Sequence, residues 1–185
     1  MKTTRISILA AAFAVAAAAA LLTAGCKSTS TAAPAAAARP QARATIEPRS
    51  GSNVGGWATF TERPTGGVAV VVHIENAPPG VHGLHVHEKG DCSAADASSA
   101  GGHFNPGAMP HAGPNDQMRH AGDLGNITIE ANGTGHLEIV TDLLTVRPGP
   151  NSVVGKAVVF HEKADDLKTQ PSGNAGARLG CGVVQ

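Results

Sequence analysis

The chain has 185 residues, with 14 Lys and Arg against 14 Asp and Glu for a formal charge of zero, and its aromatics are four Phe and one Trp. With no basic block and few rings for bases to stack on, the composition argues against nucleic-acid binding. The length allows one domain with a sizeable core.

The first residues read as an address. Lys2 and Arg5 precede an apolar, alanine-rich run over 6–22, followed by Thr23-Ala24-Gly25-Cys26. A positive start, a short apolar stretch and small residues before a cleavage point describe a signal peptide over 1–25. A retained membrane anchor is the competing reading, but 17 alanine-rich residues are short for a span. The cysteine directly after Thr23-Ala24-Gly25 resembles a bacterial lipobox and marks Cys26 for lipidation. Ser, Thr, Ala, Pro and Gln then dominate, so 26–42 reads as a lipidated flexible tether and 43–185 as the folded domain. Losing Lys2 and Arg5 leaves the mature chain two charges negative. With Cys26 lipidated, Cys92 and Cys181 remain, and an even pair in an oxidising compartment is expected to bridge; two free buried thiols are the alternative.

Within the domain the signals are strands. Val68, Val70, Val72 and Ile74 alternate with Ala69, Val71, His73 and Glu75, a period of two. Similar short runs lie at 54–60, 84–87, 127–130, 137–140 and 153–160, separated by turn formers such as Pro78-Pro79-Gly80 and Pro148-Gly149-Pro150-Asn151. Asn132-Gly133 between Ile129 and Leu137 predicts a hairpin. The pattern predicts an all-β fold, an antiparallel β-sandwich or barrel. Two long stretches, 88–121 and 162–178, are rich in Gly, Pro, Ser and Asp. Loops of that length in a compact domain imply function.

The histidines supply it. His85-Val86-His87 on a strand sends two imidazoles to one face. His82 shares the parity of Leu84 and Val86, so it is expected to face inward as a structural histidine satisfied by backbone groups. His103, His111, His120 and Asp123 follow in the first long loop, and His161 ends the 153–160 run. Four neutral imidazoles suit copper, and three histidines with a carboxylate suit tetrahedral zinc. A zinc hydrolase would need His-Glu-x-x-His on a helix. His87-Glu88-Lys89-Gly90-Asp91 and His161-Glu162-Lys163-Ala164-Asp165 both fail at the fifth position.

His82-Gly83-Leu84-His85-Val86-His87-Glu88, Gly102-His103-Phe104-Asn105-Pro106, Arg119-His120-Ala121-Gly122-Asp123-Leu124-Gly125-Asn126, His161-Glu162-Lys163-Ala164-Asp165-Asp166 and Gly173-Asn174-Ala175-Gly176-Ala177-Arg178-Leu179-Gly180-Cys181-Gly182 resemble, in order, the motifs of copper/zinc superoxide dismutases in a bacterial exported lipoprotein form. The resemblance spans about 43–185. It implies a Greek-key arrangement with two long functional loops and the dismutation of superoxide to dioxygen and hydrogen peroxide. It implies one copper on His85, His87, His103 and His161, and one zinc on His103, His111, His120 and Asp123, with His103 shared. Asp165 would link His85 and His111, with the larger support going to zinc. Arg178 and His103 would be the catalytic residues, with Arg178 attracting the anionic substrate beside copper, and Cys92 would pair with Cys181. The segment 167–174 is shorter than in eukaryotic relatives and lacks their acidic pair, so the assembly stays open between monomer and homodimer. The expected place is the bacterial cell envelope, periplasm-facing in a Gram-negative cell. The rival reading is a non-catalytic copper- and zinc-binding module for buffering or delivery.

Overall fold

In the computed structural model, which describes residues 39–185, eight antiparallel strands close into a barrel. They are β1 (Gln41–Pro48), β2 (Gly55–Glu62), β3 (Val68–Glu75), β4 (Gly80–His87), β5 (Asp123–Ile129), β6 (Gly135–Thr141), β7 (Ala157–His161) and β8 (Arg178–Val183). Around the barrel the order is β1-β2-β3-β6-β5-β4-β7-β8. Strands β4, β5 and β6 are consecutive neighbours and β3 lies against β6, which is a Greek key. The expected signal peptide and the lipidation site Cys26 lie outside the described residues.

Alternation fills the interior. Val68, Val70, Val72 and Ile74 of β3 are fully buried, and so are Phe60 of β2 and Phe160 of β7. Each such side chain stabilises the fold by about 1.5–3 kcal/mol relative to exposure. The β5–β6 hairpin forms where the Asn132-Gly133 signal places it: Gly133 takes φ +82°, and the Glu130 N–H donates to the Thr134 carbonyl at 2.8 Å.

Two boundaries differ from the sequence reading. Gln41 pairs with Thr61 and Ala42 is buried, so the fold takes in the last two residues of the expected tether. Strand β7 starts at Ala157 rather than at 153, because the Lys156 N–H turns back onto the Val153 carbonyl at 3.0 Å. Val153 still reaches the core from that turn.

The two long connections, 88–122 between β4 and β5 and 162–177 between β7 and β8, carry little regular structure. The first folds back on the end of β4. Phe104 N–H donates to the Val86 carbonyl at 2.8 Å, Val86 N–H to Gly122 at 2.9 Å and Glu88 N–H to Gly102 at 2.9 Å. These bonds bury both faces of β4 from His82 to His87. The Cys92–Cys181 disulfide ties the same loop to β8 across 89 residues. Closing a loop of that length stabilises by about 4–5 kcal/mol in the chain-entropy picture. Beside it Ala97, Ala100, Ala157 and Val159 form a small apolar cluster separate from the barrel core. Ladder irregularities fall between Gly83 and His85 on β4 and between Phe160 and His161 on β7. Each adjoins a histidine, and bulges re-aim the side chains next to them.

Candidate metal centre

The fold brings His85, His87, His103 and His161 together, with one donor atom from each within 4.8 Å of the others and all four buried. His85 and His87 come from one face of β4, and His161 ends β7. His103 arrives from the first long loop, where it forms an isolated bridge opposite His87. In each ring one nitrogen is already engaged. His85 Nε2 faces Asp165 Oδ2 at 2.8 Å, His87 Nδ1 donates to the Gly101 carbonyl at 2.9 Å and His103 Nδ1 faces Asp123 Oδ1 at 2.9 Å. His161 Nδ1 reaches the Gly176 carbonyl at 3.5 Å. That leaves His85 Nδ1 and the Nε2 atoms of His87, His103 and His161 for a common centre.

The chemistry of this centre fits a cation. His85 Nδ1 and His103 Nε2 are buried with no hydrogen-bond partner. An unmet buried polar atom costs about 1–3 kcal/mol. A metal held by four imidazoles satisfies both atoms at once.

A second group, His103, His111, His120 and Asp123, has its donors within 4.8 Å of one another and is buried too. Asp123 opens β5, and His120 precedes it by one turn. Asp123 Oδ1 faces three imidazole nitrogens, the Nδ1 atoms of His103 at 2.9 Å, His111 at 3.0 Å and His120 at 3.2 Å. Its Oδ2 accepts from the Ala112 and His120 backbone at 3.1 and 3.0 Å. Three rings converging on one carboxylate oxygen make the donor set of a tetrahedral zinc site. His103 belongs to both groups, through its two different ring nitrogens.

Electrostatics keeps the donors in metal-binding form. Burial pushes His85 down to about 4 and His87 and His161 well below the usual histidine range, so these rings are neutral. At Asp123, burial would raise the carboxyl, but hydrogen bonds from His103 and His111 outweigh it and hold the group far below the ordinary range. Asp165 is lowered in the same way, by His111 and His85. His111 goes the other way. Burial opposes its charge, yet Asp123 and Asp165 on its two sides raise it to about 9. A cation held by this group would have to displace the proton on the nitrogen facing Asp123.

Asp165 joins the two groups. Its Oδ2 takes His85, and its Oδ1 takes His111 Nε2 at 2.9 Å and the Leu167 N–H at 2.7 Å. Arg178 opens β8 and is partly buried; its Nη1 donates to the Ala97 carbonyl at 2.7 Å and its Nη2 to Gly101 at 2.8 Å. With His87, His103, His161 and Ser172 it lines a cavity beside the four-imidazole group. His82 faces inward with its ring against the His161 and Pro78 carbonyls, each at 2.9 Å.

Some contributors had no assigned role at the sequence level. Asn126 holds Asp165 in place by exchanging two hydrogen bonds with its backbone, at 2.8 and 2.9 Å. The Gly101 carbonyl accepts from both His87 and Arg178. Gly173, at φ +67°, lies so close that a Cβ there would strike the Asp165 carboxylate and the His111 ring. Nothing in periodicity marks such residues, because each acts through a partner distant in sequence.

Comparison with known proteins agrees with this arrangement. The family model described as copper/zinc superoxide dismutase matches residues 54–184. The crystal structure of the clock protein EA4 is similar, with a TM-score of 0.71 and 41% identity, covering 81% of this chain and 96% of that one. The eight-stranded Greek-key barrel, the paired donor groups that share His103 and the match over 54–184 place the chain in the copper/zinc superoxide dismutase family.

Proposed function

We propose that this chain dismutates superoxide, converting two superoxide anions and two protons into dioxygen and hydrogen peroxide. The observation that carries this reading is the sharing of His103, with Nε2 in a four-imidazole group and Nδ1 in a three-histidine, one-carboxylate group. His85, His87, His103 and His161 would hold copper, and His103, His111, His120 and Asp123 would hold zinc. Copper when bound supplies one-electron exchange, and zinc, which has no accessible redox change, supplies order and charge.

The chain's own residues do the rest. Arg178 presents a fixed cation at the cavity and draws a small anion toward it. Its two carbonyl partners keep the guanidinium from folding away. The Gly101 carbonyl orients His87 and Arg178 together. The buried Nε2 of His103 is the ring atom that can hold a proton for an anion in the cavity. Asp165 keeps the far nitrogens of His85 and His111 protonated, and so turns their other nitrogens toward the centres.

A buffering or delivery module would use the same donors. It has no use for a guanidinium fixed beside the cavity, so Arg178 favours catalysis. The test is His161→Ala, which removes a donor from the four-imidazole group only. Superoxide decay followed directly should fall to the uncatalysed rate while zinc stays bound. Retained catalysis in the variant would overturn the reading.

Export with a lipid on Cys26 is proposed on Thr23-Ala24-Gly25-Cys26 and the apolar run before it. Replacing Cys26 with Ser is expected to move the protein from the membrane fraction to the soluble fraction, with activity per copper unchanged. Undiminished membrane association in a fractionation experiment would rule the anchor out.

A further inference from the structure

We infer that Gln170 is the positioning residue of the zinc group, acting through the backbone of His111; this rests on the two-metal reading above. His111 is the donor with the least support from the barrel. His103 bridges to His87, Asp123 belongs to β5, and His120 lies one turn before that strand. His111 lies in the middle of the first long loop, and among the described residues its N–H and C=O have no backbone partner. Both find the same side chain. Gln170 Oε1 accepts from the His111 N–H at 2.8 Å, and Gln170 Nε2 donates to the His111 carbonyl at 2.8 Å. A primary amide used this way reproduces one rung of a β-ladder and fixes the peptide on both sides of the ring.

The clamp is mounted on a compact turn. Asp166 Oδ1 accepts from the Lys168 and Thr169 N–H groups at 3.0 and 2.8 Å. The Thr169 carbonyl accepts from Gly173 at 2.7 Å, and Asp166 N–H donates to the Gly173 carbonyl at 2.9 Å. The second long loop therefore holds His111 in three ways. Asp165 takes Nε2, Gln170 takes the peptide, and Gly173 leaves room for the ring. Without the clamp, His111 must be ordered by zinc itself, and that ordering cost lowers the affinity.

The test compares the full chain with Gln170→Met, which keeps the length and removes both bonds to His111 together with the Nε2 bond to the Lys168 carbonyl at 3.2 Å, and with Lys168→Met, which changes the same turn but leaves these bonds in place. Zinc and copper affinities come from chelator competition, and cobalt(II) placed in the zinc group reports its geometry by absorption. Gln170→Met is expected to lower zinc affinity roughly 10-fold, to broaden the cobalt bands and to leave copper affinity within about two-fold, in line with the usual effect of losing a ligand's supporting partner. Lys168→Met should match the parent in all three. Zinc affinity unchanged in Gln170→Met overturns the inference, and so does an equal loss of copper and zinc, which would mean a general disturbance of the loop. A parent protein that binds no zinc would instead defeat the two-metal reading.

Discussion

Replacing Asp165 with Asn is expected to lower the affinities for zinc and copper together, each by roughly 10- to 100-fold. At the sequence level the larger loss falls on zinc, because His111 is a loop residue and His85 a strand residue. The geometry redistributes it. Asp165 Oδ1 accepts from both His111 Nε2 and the Leu167 N–H, whereas Oδ2 accepts from His85 alone. An asparagine therefore places its carbonyl oxygen at the Oδ1 position, where two donors converge. Its amide NH2 then faces His85 Nε2, a donor against a donor in a site where both side chains are fully buried. His85 escapes only by moving its proton to Nδ1, the nitrogen that belongs to the four-imidazole centre. His111 keeps its acceptor but loses the charge that strengthens the bond. Asp166→Asn is the control. Asp166 caps Lys168 and Thr169 through Oδ1, and an amide oxygen can do the same. Competition titrations on both variants decide the matter. Parent-like affinities in Asp165→Asn, or equal losses in the two variants, would contradict the assignment of Asp165.

The second large effect concerns rate. Arg178→Ile is expected to slow superoxide turnover by on the order of 10-fold or more, within the range that electrostatic steering spans, and to flatten the dependence on ionic strength. Copper content should not change, because among the described residues the Arg178 side chain bonds only to the Ala97 and Gly101 carbonyls, and Gly101 keeps its bond from His87. Arg178→Lys separates charge from scaffold. A lysine keeps the cation but cannot span two carbonyls as the guanidinium fork does. It should retain much of the salt dependence at an intermediate rate. Stopped-flow or pulse measurements across salt concentrations distinguish the cases. A parent-like rate for Arg178→Ile at low salt would remove the steering role, and copper loss in both variants would make the residue structural.

The strands that alternate large apolar side chains were legible in the sequence, and the two that close the barrel were not. In β1 the inward positions are Ala42, Ala44 and Ile46, too small to raise a clear period of two. In β8 the close approach of β1 requires residues without side chains. A Cβ at Gly182 would meet the Thr45 carbonyl, and one at Gly180 the Ile46 side chain at 2.8 Å. Glycine there reads as turn in one dimension and as packing in three.

The donor groups were legible because seven potential ligands fall on three short stretches of the sequence and because the two groups differ in donor type. The supports were not, for a physical cause. Gln170 and Asn126 each exchange two hydrogen bonds with a residue 59 or 39 positions away, and the Gly101 carbonyl accepts from residues 14 and 77 positions away; in one dimension each looks like any other polar or small residue. The motif resemblance carried Asp165 and Arg178, and only the three-dimensional structure shows which of their atoms bond to which partners.

The proposed function is turnover of superoxide at a four-histidine copper site coupled through His103 to zinc. The most direct measurement loads the zinc-bound protein with increasing copper and follows metal content and superoxide decay in the same samples. Catalysis is expected to rise linearly with copper and to stop rising at one copper per chain, with one zinc retained. A chain that fills with one copper and one zinc yet leaves superoxide to decay at its uncatalysed rate would contradict it.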